Sequence, residues 1–116
     1  MPPRKRLSHV DPRGRIRMAD VGAKPETDRE AVAEAEIRVS RAALTAVRRG
    51  DVKKGNPLET ARLAGIMAAK RTSDMIPLCH PLALSHVDVD IRPRPWGYAL
   101  RSVVRTKGRT GVEMEA

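Results

Sequence analysis

No phenylalanine occurs in this chain, and Trp96 and Tyr98 are its only tryptophan and tyrosine. Any core must therefore be assembled from Val, Ile, Leu and Ala, which bury less area per residue than large rings do. With 116 residues there is room for one such core. Hydrophobic residues still make up 41%, so the chain belongs with folded rather than disordered sequences. A thin aliphatic core predicts marginal stability as a monomer, and hence self-association.

The order of the elements narrows the fold. Residues 1–30 are polar, with turn signals at Asp11-Pro-Arg-Gly14 and Lys24-Pro25, and read as a partly disordered arm. Residues 31–116 read as a single α+β domain. Ala33, Ala35, Ile37 and Val39 alternate with Glu34, Glu36 and Arg38, the pattern of a half-buried strand. Ser40 and Gly50 bracket a short helix. Asn56, Pro57 and Glu59 then set the start of a second helix running to about Arg71, whose small and apolar surface predicts contacts on two sides. Pro77 and Pro81 prevent that helix from continuing through residues 72–81. Val87, Val89 and Ile91 form one alternating strand, and Tyr98–Thr106 a second that pairs with it antiparallel across the Pro93–Gly97 break. Thr110 and Glu113 have capping-box spacing, which announces a helix at the point where the sequence stops.

A net charge of +9 points to an anionic ligand or partner. A nucleic-acid module is the rival reading, but one Trp and one Tyr offer little for base stacking, and no binding motif occurs. The single Cys79 rules out an internal disulfide and fits a reducing compartment. No apolar run approaches ~20 residues, so no membrane span is predicted, and the cytoplasm is the expected location.

Several residues can carry chemistry. Lys54 precedes a helix N-terminus, where the dipole favours an anion, although an ordinary capped helix has the same appearance. Lys70 lies at the C-terminus of that helix. The stretch Pro77-Leu78-Cys79-His80-Pro81 holds its side chains on a stiff backbone, where His80 can serve as an acid–base group or a phosphate contact. Cys79 has no base at a recognisable spacing and reads as a small buried residue. Cys79, His80 and His86 lack zinc-ligand spacing, and no metal is predicted. Glu113 and Glu115 would diverge by about 200° on a helix, yet a loop-to-helix turn can bring both to one pocket.

Read together, Met18-Ala-Asp-Val21, Lys53-Lys-Gly55, Thr60–Ile66, Ala69-Lys-Arg-Thr72, Ile76-Pro-Leu-Cys-His-Pro-Leu82 and Thr110-Gly-Val-Glu-Met-Glu-Ala116 resemble the family of cyclic pyranopterin monophosphate synthase, the C protein of early molybdenum cofactor biosynthesis. The resemblance implies a ferredoxin-like α+β fold, an antiparallel sheet with helices on one face, assembled as a hexamer of dimers with its site at a subunit interface. It implies a lyase that turns (8S)-3',8-cyclo-7,8-dihydroguanosine 5'-triphosphate into cyclic pyranopterin monophosphate with loss of diphosphate, without a metal or other cofactor. Carried over, Lys54, Lys70 and His80 contact the triphosphate or transfer protons. Leu78, Cys79 and His80 form a substrate-binding loop, and Glu113, Met114 and Glu115 hold the purine-derived ring. The family's further aspartate and lysine lie beyond position 116. A chain stopping at Ala116 is thus expected to turn over little, or to act as a catalytically impaired binding or scaffold protein.

Overall fold

The structure, a computed structural model, describes residues 9–50 and 55–116. It contains β1 (Thr27–Arg38), α1 (Arg41–Arg49), α2 (Pro57–Lys70), α3 (Thr72–Met75), β2 (Leu84–Arg94) and β3 (Gly97–Gly108). The strands form one antiparallel sheet in the order β1-β3-β2. This is an α+β arrangement consistent with a ferredoxin-like fold. Among the described residues β3 is the only strand paired on both sides, and β1 and β2 are edges.

The helix caps follow the chemistry of their residues. Ser40 accepts the Ala43 N–H at 3.2 Å, and Gly50 closes α1 in the left-handed region at φ 71°. Asn56 Oδ1 accepts the Leu58 and Glu59 N–H groups at 3.1 and 3.4 Å, with Pro57 at the first helical position. The predicted turn at Asp11–Gly14 also forms. Asp11 Oδ1 accepts from the Arg13 and Arg15 N–H groups, and Val10 bridges Ile16.

Three sequence expectations change. β1 begins at Thr27, four residues before the apolar alternation, because Thr27–Glu30 pair with Gly108–Arg105 of β3. Its inward side is covered only in part: Arg29, Ala31 and Ala33 are half-buried, whereas Ile37 is 53% exposed. β2 runs on through Pro93 to Arg94, which an edge strand allows because the missing N–H can fall on its unpaired side. The expected helix at the chain end is a single turn, closed by the Ala116 N–H on the Val112 carbonyl at 3.0 Å.

α2 lies against β2 on the sheet face that carries Val87, Val89, Ser102 and Val104. Arg62 fastens the two together. Its Nε donates to the Val89 carbonyl at 2.7 Å, on the free edge of the sheet, and its Nη2 reaches Asp88 Oδ1 at 3.4 Å. Among the described residues only one side of α2 is engaged, where two were expected, and Leu63 and Met67 are more than half exposed. The opposite sheet face is charged. Glu34 and Glu30 of β1 face Arg101 and Arg105 of β3 in register and form ion pairs with them. The core is as thin as the composition predicts: Val104 and Val112 are the only large side chains fully buried among the described residues.

Candidate functional site

The loop that leaves α3 is a tight turn. The Ile76 carbonyl accepts the Cys79 N–H at 3.4 Å across Pro77 and Leu78, and Leu78 stands at φ 62°. Pro at the second position and a positive φ at the third define a type II turn, whose third position ordinarily takes glycine. Leu78 is the one described non-glycine residue with positive φ. Backbone strain of this kind gathers where surroundings hold a segment in place.

The next residue is held by a second segment. Cys79 Sγ donates to Glu115 Oε1 at 3.5 Å and lies 3.7 Å from the His80 carbonyl. Glu115 is 8% exposed. Burial first, then the negative charge of Glu115 and its hydrogen bond, push the Cys79 thiol above its ordinary pKa. The turn bearing Glu115 is tied to the sheet by Ser102 Oγ, which donates to the Ala116 carbonyl.

Two clefts flank this contact. A cavity of about 450 Å³ is lined by His80, Leu82, Thr106, Lys107, Arg109 and Thr110. One of about 390 Å³, between α2 and the sheet, is lined by Thr72, Ile76, Val104, Met114 and Glu115 among others. The structure therefore brings Leu78, Cys79 and His80 together with Met114 and Glu115. Glu113 is not part of that contact: it is exposed and folds back over Gly111, so the two carboxylates diverge even in a turn. Lys70 is exposed at the end of α2 and lines neither cleft. Lys54 lies outside the described residues.

Two arginines stand beside the His80 cleft: Arg109, from the loop Thr106–Gly111 whose glycines and cations suit an anion, and Arg29, which the sequence reading missed. Arg29 sits opposite Thr106 in the β1–β3 register, and its Nε is buried without a partner among the described residues. Its Nη2 donates to the Arg109 carbonyl at 3.4 Å, and Arg109 Nε donates to the Lys24 carbonyl at 3.0 Å. A signal existed: Arg29 occupies the inward parity of β1, the parity of Ala31 and Ala33, where a charged side chain is out of place unless it has a task. Thr106 Oγ1 anchors the segment after His80 through the Ala83 carbonyl at 2.6 Å. The arrangement offers cations and an imidazole to an anionic group on one side of the loop, and a buried carboxylate to donor groups on the other.

A sequence model of the MoaC family matches residues 18–116. Proteins named cyclic pyranopterin monophosphate synthase in Brucella ovis, Brucella melitensis and Brucella suis are each 54% identical to this chain over 113 residues, which cover 96% of it and 68% of the relative. The loop at 76–81 and the turn at 112–116, joined through Cys79 and Glu115, both fall inside the matched span. This chain belongs to the MoaC family.

Proposed function

We propose that the protein is a cyclic pyranopterin monophosphate synthase, a lyase of molybdenum cofactor biosynthesis that converts (8S)-3',8-cyclo-7,8-dihydroguanosine 5'-triphosphate to cyclic pyranopterin monophosphate and diphosphate. The observation that carries this reading is the 54% identity to proteins of that name over nearly the whole chain. The placement of the loop and the turn supports it. In this reading His80, with Lys54 and Lys70, meets the triphosphate or moves protons, and Arg29 and Arg109 add positive charge beside His80. Cations there stabilise the departing diphosphate, and ring opening and bond migration call for positioned acid–base groups. Leu78 and Met114 border the ring-binding side, where Glu115 supplies a carboxylate, and Glu113, exposed over Gly111, meets the substrate at a subunit boundary.

The proposed assembly is a hexamer of dimers with sites at subunit boundaries, in the cytoplasm. Shape supports self-association: the radius of gyration is 18.7 Å, against about 13 Å for a compact domain of 100 residues. Among the described residues no helix is long and apolar enough to cross a membrane.

The test is incubation of the full-length gene product with the cyclic dihydroguanosine triphosphate while diphosphate release is followed. Release that His80→Ala and Lys54→Ala abolish is the expected result. Unchanged turnover in both variants removes the site assignment. Tight binding without release assigns a scaffold role instead.

A further inference from the structure

Cys79 is the sole cysteine of the chain, and the synthase reading uses it only as one of three loop residues beside the substrate. Its surroundings fit a narrower task. A nucleophilic cysteine works as a thiolate, which cationic or helix N-terminal surroundings favour. Here the side chain instead faces a buried carboxylate at 3.5 Å, and an S–H can donate to that oxygen only while it keeps its proton. Glu115 in turn has no other side-chain partner among the described residues, neither a hydrogen bond nor an ion pair, although it is 8% exposed. A buried carboxylate with one weak donor has spare acceptor capacity. The contact spans 36 residues of sequence and is the one side-chain bond joining the 76–81 loop to the 112–116 turn among the described residues. Both ends are fixed to backbone: Cys79 by its N–H on the Ile76 carbonyl, and the turn by Ser102 on the Ala116 carbonyl. The ionisable neighbours along the chain do not compete for the bond, since His80 lines the opposite cleft and Glu113 is exposed over Gly111.

We infer that Cys79 is a positioning residue, whose S–H holds one oxygen of the Glu115 carboxylate and leaves Oε2 to accept from an N–H or O–H of the substrate's ring. The bond stands on geometry alone; its part in turnover rests on the synthase reading, and two separate measurements keep the two apart.

The first measurement is the S–H stretching band of the unmodified protein, which arises from a single thiol. A band displaced to lower frequency, moving toward the free-thiol position in Glu115→Leu, which has no acceptor, is the expected result. A free-thiol band in the unmodified protein overturns the inference without any variant having to fold. The second is steady-state kinetics of Cys79→Ser and Cys79→Ala. Serine, which keeps a donor, retains kcat within about threefold. Alanine lowers kcat by about tenfold with KM little changed, the pattern of an interaction that matters in the transition state. Equal activity of both variants with the unmodified protein, in the presence of a displaced band, confines Cys79 to a structural contact and overturns its positioning role.

Discussion

Gly65 of α2 faces the side chain of Val89 on β2 so closely that a Cβ on the glycine would lie 3.2 Å from Val89 Cγ2. In an exposed helix, alanine in place of glycine gains about 1 kcal/mol. Overfilling a close contact costs about 1–3 kcal/mol. Gly65→Ala is therefore expected to lose about 1 kcal/mol in urea unfolding. In a Val89→Ala background the same change stabilises, so the double-mutant cycle yields a coupling of about 1 kcal/mol or more. Additive values would mean that helix and strand can part by a few tenths of an ångström at no cost.

Gly97 begins β3 at the tight turn, and a Cβ there would overlap the Ile37 carbonyl oxygen. That atom belongs to backbone and cannot swing aside. Gly97→Ala is expected to cost about 3 kcal/mol or more, since relief requires opening the β1–β3 ladder at its Arg38 end. Thermal unfolding followed by far-UV circular dichroism gives the value.

Leu78 offers the converse case. A left-handed leucine carries roughly 1–2 kcal/mol of strain, and glycine would release it while adding about the same freedom to the unfolded chain. Leu78→Gly is expected to stay within about 0.5 kcal/mol of the unmodified protein. Leu78→Val, branched at Cβ, is expected to lose about 1–2 kcal/mol. Chemical denaturation of both variants checks the pair.

The thiol of Cys79 is raised from an ordinary value of 9.0. With a folded pKa above the unfolded one, the folded state holds the proton more tightly. The contribution to stability is complete below about pH 9 and is lost as pH rises through the folded value. Urea midpoints should thus fall above pH 9 more steeply for the unmodified protein than for Cys79→Ala. Parallel pH profiles would refute the shift.

Arg29 separates folding from binding. Its Nε is buried without a partner among the described residues, so Arg29→Met removes a desolvation penalty along with a charge. Stability is expected to stay within about 0.5 kcal/mol. Affinity for inorganic diphosphate, measured by titration calorimetry, should drop about tenfold, the loss of one charge-assisted hydrogen bond.

Local chemistry made much of the fold readable. The Ser40 and Asn56 caps, the turn at Asp11 and the alternation of Val87, Val89 and Ile91 are each decided within a few residues, and the structure has them where the pattern puts them. Expectations that leaned on tertiary surroundings fared differently. Ile37 alternates correctly yet is exposed, because nothing among the described residues covers that end of β1. Pro93 reads as a strand break until β2 is known to be an edge. Within the site, the loop at 76–81 was legible from its two prolines and its family likeness. The contact of Cys79 with Glu115 and the convergence of Lys24, Arg29 and Arg109 were not, since they join residues 36 to 85 positions apart.

The strand order has a kinetic consequence. β1 is synthesised first, yet β3, its only strand partner among the described residues, is the last strand of the sheet to be made, and some 60 residues must follow Arg38 before Gly97 emerges. At roughly 5–20 residues per second, β1 waits for several seconds with both edges open. The β2–β3 hairpin closes locally, whereas docking β1 onto it must close a long loop and is the slower event. The glutamates at positions 30 and 34 repel a second copy of the same strand during that interval, so the residues that later pair with Arg101 and Arg105 first act as a guard against association between nascent chains.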